Sequence, residues 1–496
     1  MAEFNVKDFG AIGDGTTDDT LAIQKAVSQA LNTRGSVFIP RGKYRITATI
    51  NCLPIANNDF GAGLGPNSST LPKSGCSIHG EHSRGTIILA DFSSWQTTTV
   101  NEQTNVCQYY LPNESLTPIQ ESQNGSTNTN LTDKIVFYHS DYMNFSDMWI
   151  IQKTTTNTPE GIAFSTPYNT TSNYSNFQRI IVELFNYGFW HRFSSCNSYE
   201  DINIENCIIG VRLARVDNRY PTNNPLATSG WNTNSNGWFH NLLQFIKCSV
   251  KSNAVEDSTS SITEIGFWGC ATATTFESCS CEGVHRNLQS SNNIIAPSGI
   301  PGTGIYLEDG MATGDGKSII INQFYSNLLE RPIYCNNTND INIQGLDLHG
   351  SVNDNYATSA ALEFNKCTVV NINGTIIVPG KFNNVIKATD NSSIFYSYFF
   401  DGSRISNDIF VDSTSSVTKR NFNIGDSNSL STSNKVIVDA INEVKSNTDF
   451  TLANLNITTS SVANLTQNKV DVSSVGDTNS LSTSNKVIVD AINEVK

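Results

Sequence analysis

Residues Phe4–Ile46, FNVKDFGAIGDGTTDDTLAIQKAVSQALNTRGSVFIPRGKYRI, read as strand, glycine-rich turn, helix, turn and strand. Val6 and Phe9 precede Gly10, Gly13 and Gly15, residues that take positive φ without strain. Thr17 or Asp18 is the expected N-cap, with Asp18 and Asp19 placing negative charge at the positive end of the helix. Ala22, Ile23, Ala26, Val27, Ala30 and Leu31 recur at helical spacing and predict one buried stripe. Gly35 is expected to stop the helix, and Val37–Ile39 and Tyr44–Ile46 to be strands on either side of Pro40-Arg41-Gly42. The phosphate-loop ending Gly-Lys-Ser/Thr is absent, so the glycines and aspartates read as turn and cap.

The run V-x-D-F-G-A-x-G-D-G-x-T-D-D-T-x-A-I-Q-x-A, followed by G-x-V-x-x-P-x-G-x-Y-x-I, resembles the opening of pectate-lyase-like right-handed parallel β-helix proteins. It is similar in particular to bacteriophage tailspikes and tail-fibre depolymerases. The resemblance implies an all-β solenoid, with residues 1–50 as an N-terminal cap that includes a short helix. It places the protein in a virion tail, assembled in the host cytoplasm and acting at the cell surface. The implied partners are a bacterial surface polysaccharide (capsule, exopolysaccharide or teichoic acid), other phage tail proteins and two further copies in a homotrimer.

Composition fits such a body. Of 496 residues only 15% are charged, and the net charge is −14. That balance argues against nucleic acid, whose binding rests on Lys/Arg contacts to phosphate. It also disfavours long-range steering of an anionic polymer, although a local basic patch would still hold one. No stretch is apolar enough for membrane insertion, and no signal-peptide pattern opens the chain.

Residues 51–133 read as an irregular insertion with the first coils. From Lys134 to residue 415, short apolar alternations return between Asn-, Gly- and Ser-containing turns, with no long amphipathic helix between them. Many short strands at a period of roughly 20–50 residues predict a β-helix whose coils share one core. Six of the eleven cysteines follow Phe or Ile by three positions: Cys196, Cys207, Cys248, Cys270, Cys279 and Cys367. This predicts a ladder of buried, reduced thiols; no spacing suggests a metal site, and no cofactor is implied.

Chemistry is expected outside that core. Glu282 lies six residues after Phe276 and Glu330 six after Phe324, with Glu308 and Asp309 between them. In that register the glutamates form a column, neighbours roughly 4.8 Å apart and the outer pair roughly 9.6 Å apart. Those separations suit retaining and inverting glycoside hydrolysis respectively. Repulsion within the column would keep one carboxyl protonated as general acid. The alternative is β-elimination served by His285 and Arg331. Trp231, Trp238 and His240, in GWNTNSNGWFHN, are candidates for stacking on sugar faces or for the core. A third reading is a receptor-binding fibre that recognises glycan without cleaving it.

Residues 416–496 are organised differently. Ile424–Lys445, IGDSNSLSTSNKVIVDAINEVK, returns almost unchanged as Val475–Lys496. Between and within the copies Ile437, Ile441, Val444, Leu455, Val462, Leu465 and Val472 share one heptad register. Such a narrow stripe needs a partner helix, so a helical, coiled-coil-like stalk is expected.

Overall fold

The structure is a computed structural model that describes residues 2–52, 75–96, 98–101, 106–107, 129–131, 134–139, 141–156, 158–166, 172–191, 194–213, 240–252, 263–269, 271–284, 301–308, 318–350, 360–377, 382–401 and 407–419. The C-terminal repeat, Trp231, Trp238, His285 and Asp309 lie outside them, as does the side chain of His240.

The described chain winds into a parallel β-helix. Nineteen strands form one sheet, here sheet 1, and eleven form a second, sheet 2, each strand pairing in parallel with its counterpart in the next coil. Pairing in sheet 1 already includes Glu3–Asn5 against Ser36–Ile39 and extends to Ser416–Lys419. The solenoid therefore takes in the opening segment and begins well before residue 134.

Sheet 1 is bent into two limbs. At the bend successive coils place Asp147, Arg179, Asp201, Lys247, Ser278, Gln323, Gly345 and Gly374, all at positive φ. The backbone N–H of Lys247 donates to the Glu277 carbonyl, that of Ser278 to Asn322 and that of Gln323 to Gln344, so these three bends hydrogen-bond to the next coil. Non-glycine residues rarely adopt this conformation; at Lys247, Ser278 and Gln323 the coil-to-coil hydrogen bond offsets its cost.

The first limb turns Phe145, Phe177, Tyr199, Phe245 and Phe276 inward in register. Their rings stack with centroids 5.4, 5.0, 4.5 and 5.1 Å apart, close to the strand spacing of a sheet. Phe137, Phe164 and Phe189 make a second stack from sheet 2. The second limb contributes Ile150, Val182, Ile204, Val250 and Cys281 to the same core.

The helix Thr20–Thr33 packs its expected stripe, Ala22 to Leu31, into that core. Its ends differ from expectation. Asp19 is the N-cap and spends its carboxylate on the backbone N–H groups of Ile12 and Gly13, at 2.7 and 3.0 Å, not on the helix. Asp18 accepts from Thr20 N. Arg34 takes the left-handed C-cap position, while Gly35 is needed for space: a Cβ there would lie 2.5 Å from the Ala2 carbonyl oxygen.

Eight of the nine cysteines whose burial is described are buried, without forming one ladder, and Cys270 lies outside the described residues. Cys248 and Cys279 occupy equivalent positions in adjacent coils, and Cys279 Sγ donates to the Phe245 carbonyl at 3.3 Å. Cys207 lies at the turn into sheet 2, Cys367 at the turn out of it, and Cys196 is partly exposed. The shared Phe/Ile-x-x-Cys pattern thus marks three kinds of corner. Burial pushes the Cys207 thiol up to about 12.

Candidate functional site

The expected glutamate column does not form. Phe276 registers with Ile321, not with Phe324, so Glu282 registers with Asn327. The two Phe anchors are three positions out of phase: Tyr325, next to Phe324, lies opposite Ser280, next to Cys279. Glu282 sits on the outer side of the second limb, with Lys251 Nζ 3.6 Å from Oε1. Glu308 ends a strand of sheet 2, Thr303–Glu308, opposite Asn336. Glu330 occupies the turn between the two sheets, 1% exposed, and accepts the backbone N–H of Gly302. Glu308, Glu330 and Arg331 therefore share the sheet 2 side, and Glu282 is set apart from them.

Sheet 2 carries the more developed chemistry. Its inward column, including Phe189, Val211, Phe267, Ile305, Ile333, Leu362 and Ile386, belongs to the main core. The next residue of each strand points the other way, giving Trp190, Arg212, Trp268, Tyr306, Tyr334, Glu363 and Lys387 in unbroken register. Trp268 and Tyr306 pack in a cluster separate from the core, with Ile209 and Ile265.

Along this strip, cations flank a run of three rings, Trp268, Tyr306 and Tyr334. The Arg212 guanidinium lies 3.6 Å from the Trp268 ring centroid, and Trp268 stacks on Tyr306 at 5.7 Å with only 4° between planes. Tyr306 and Tyr334 are 5.0 Å apart, and Arg331 lies 3.8 Å over Tyr334. Glu308 Oε1 accepts from Arg212 Nη1 at 3.1 Å and from Trp268 Nε1 at 3.0 Å. Arg331 donates from Nε and Nη2 to Thr303 Oγ1, and from Nη1 to Glu363 at 3.4 Å. Lys387 Nζ donates to the other Glu363 oxygen at 2.8 Å. Burial pushes the Tyr334 hydroxyl up, against the pull of the Arg331 charge.

The centre of the strip is a floor: Glu308 is 4% exposed and Arg331 6%, whereas Trp190 and Tyr334 towards its ends are partly open. The connections entering and leaving sheet 2 include 214–239, 285–300 and 309–317, so His285, Asp309, Trp231 and Trp238 belong to segments that flank it in the chain. His240 begins a two-residue strand, His240–Asn241, beyond the first of these.

Sequence reading picked out Glu308, Glu330 and Arg331 but missed Arg212, Trp268, Tyr306, Tyr334, Glu363 and Lys387. A signal was present. Gly-apolar-Trp/Arg/Tyr recurs at Gly188–Trp190, Gly210–Arg212, Gly266–Trp268 and Gly304–Tyr306. A Cβ on each of these glycines would come within 2.5–2.6 Å of the next coil's carbonyl oxygen. The glycine sets the close stacking of sheet 2, and the residue two positions later faces outward.

The outer side of the second limb holds a different acidic array. Glu183 and Glu205 are directly opposed, with Lys251 and Glu282 on the two following coils. Burial, then the neighbouring Glu205 charge, raise the Glu183 carboxyl above the usual carboxylate range. Further along, His349 Nε2 and Asp347 Oδ1 are 2.8 Å apart.

Comparison with known proteins agrees with the fold. The family model described as "Rhamnogalacturonase A/epimerase, pectate lyase-like" matches residues 3–212, so the pectate-lyase-like resemblance is shown over that part of the chain. Mannuronan C5-epimerase AlgE5 of Azotobacter vinelandii is 46% identical over 70 residues, 13% of this chain and 7% of that protein. Alginate lyase 7 of the same organism is 49% identical over 70 residues, 13% of this chain and 8% of that protein. The matches thus span less than a tenth of these relatives' own length. Among solved structures, the Acinetobacter phage vb_AbaP_AS12 gp42 tailspike has a TM-score of 0.49 at 11% identity, covering 84% of this chain and 62% of that one. Among the described residues, no helix is long and apolar enough to cross a membrane.

Proposed function

We propose that this protein is a phage tailspike depolymerase that binds a bacterial surface polysaccharide on the outer side of sheet 2 and cleaves it by glycoside hydrolysis. The observation that carries this reading is the Glu308 carboxylate, fixed by Arg212 and the Trp268 indole within a strip of aromatic rings. Rings of this kind suit the apolar faces of sugars, and a carboxylate so oriented suits a nucleophile or general base. Asp309, next in sequence, and Glu330, at the edge of the same sheet, are the candidates for proton donor. Elimination is favoured less, because Arg331, the cation it would need, already binds Thr303 and Glu363.

The phage assignment rests on the opening motif and the C-terminal repeat. In this reading the helix Thr20–Thr33 closes one end of a right-handed solenoid, and residues 420–496 hold three copies together in the virion tail. Parallel crossovers favour that hand.

The test is digestion of purified surface polysaccharides from a bacterial panel, followed by size-exclusion chromatography, a reducing-end assay and the ultraviolet absorbance of unsaturated uronates. Shorter chains with new reducing ends and no absorbance gain are expected; an absorbance gain would indicate a lyase, and binding without shortening a receptor-binding fibre. Glu308→Gln should lower kcat by about 10²–10⁴-fold, with circular dichroism unchanged. Glu183→Gln should cleave as wild type; loss of cleavage there instead would move the site to the second limb.

A further inference from the structure

We infer that the glycan taken by sheet 2 is electrically neutral, a polymer of hexose or N-acetylhexosamine rather than of uronate or phosphate-bearing units. The inference rests on the reading of sheet 2 as the glycan face and adds the class of substrate. Each described cation on the outward strip is already matched to a carboxylate of this chain. Arg212 is held by Glu308 at 3.1 Å, and Glu363 takes Arg331 at 3.4 Å on one oxygen and Lys387 at 2.8 Å on the other. Two of these pairs are well shielded, with side-chain exposures of 14% and 5% for Arg212–Glu308 and 7% and 14% for Arg331–Glu363.

A polyanion could not use such cations without displacing their partners and leaving carboxylates buried and unmatched, which is costly. It would also meet repulsion on approach. The whole chain carries −14, a net charge that opposes the long-range approach of a polyanion. What the strip offers instead is the partly open rings of Trp190 and Tyr334 on a buried floor that includes Trp268, Tyr306 and the paired charges, a surface suited to the apolar face of an uncharged sugar. The two classes of polymer differ sharply in their response to salt, because only charge-driven binding is screened.

The experiment uses the full chain and three polymer sets: neutral glycans, polyuronates, and the same polyuronates after chemical reduction of their carboxyl groups. Binding and chain shortening are measured at low and high sodium chloride. Binding confined to neutral polymers, changing by less than about twofold across the salt range, is expected. Tight binding of a polyuronate or phosphate-bearing polymer, lost by more than about tenfold in high salt, would overturn the inference while leaving a depolymerase in place if that polymer is shortened. Neutral polymer bound but not shortened supports the inference and removes the cleavage reading; no binding to any polymer removes both. Glu363→Gln supplies an independent test, since it strips Arg331 and Lys387 of their countercharge. The folded variant should acquire salt-sensitive polyuronate binding absent from wild type, and failure to acquire it would overturn the inference.

Discussion

At Gly266 the added carbon of an alanine would lie 2.5 Å from Cys281 Sγ and 2.6 Å from the Gly304 carbonyl oxygen. Backbone cannot yield there without opening two coils, so Gly266→Ala should cost about 1–3 kcal/mol in chemical denaturation. Two carboxylates make opposite predictions with pH. Burial would raise the Asp91 carboxyl, but hydrogen bonds from Lys153, Ser93 and Arg45 outweigh it and hold the group well below the usual carboxylate range. Its stabilisation is therefore complete above the unfolded value of about 3.9 and is lost as pH falls through the folded one. Asp91→Asn, which strands Arg45 and Lys153, should cost about 3 kcal/mol at pH 7, and the gap from wild type should close in acid. Glu183 is shifted up, so its penalty is absent below the unfolded value of about 4.3 and grows as pH rises past it. Glu183→Gln should accordingly stabilise the fold by about 0.5 kcal/mol at pH 7 and by nothing at pH 4. Thermal melts of both variants across that range check the two signs. At this scale the sequence made Glu308 and Arg331 visible as isolated charges. Their partners Arg212 and Glu363 are 96 and 32 residues away, and only coil register brings them together.

Register is a property of the elements, and it decided where sequence reading succeeded. Strands and their buried faces were legible because alternation within each strand is local. Phe245–Cys248 and Phe276–Cys279 are true equivalents in adjacent coils, and their rings stack 5.1 Å apart. Removing one ring from this stack leaves a void bounded by rigid neighbours. Phe245→Ala should therefore cost about 3–5 kcal/mol, read by guanidinium unfolding, whereas Phe245→Tyr should be tolerated better, since Tyr199 already occupies the stack. Coil-to-coil phase was not legible. From the strand ending at Glu282 the chain takes residues 283–302 to reach sheet 2, whereas from Leu329 it takes Glu330 alone. Spacing between similar residues therefore measures connection length as much as register, which is how Phe324 came to imitate Phe276. The bend in sheet 1 was hidden for a related reason. Its left-handed positions hold Asp147, Arg179, Asp201, Lys247 and Ser278 before they hold Gly345 and Gly374, so most coils lack the glycine that usually marks such a turn.

For the whole chain, the boundary that matters lies at Lys419/Arg420, where contacts divide it into residues 1–419 and 420–496. The first unit has a continuous core, from Val6 to Ile394, with the helix and both sheets contributing. That core is continuous among the described residues up to 419, so a chain ending there is expected to fold and keep the sheet 2 strip. The second unit has a different physical problem. Its apolar residues, Ile437, Ile441, Val444, Leu455, Val462, Leu465 and Val472, recur in one heptad register, separated by polar positions. A stripe that narrow gains its stability from facing copies of itself. The two units should consequently separate function from assembly. Sedimentation equilibrium is expected to give a trimer for residues 1–496 and a monomer for residues 1–419, with unchanged circular dichroism per residue in the sheet region. If sheet 2 of a single chain forms the complete site, the shorter chain should keep its rate on soluble oligosaccharide. It should lose at least about 10²-fold in apparent affinity for intact cells, because three linked sites rebind where one dissociates. A shorter chain that folds but loses turnover on the oligosaccharide would instead place part of the site between subunits. A full-length monomer would remove the stalk assignment altogether.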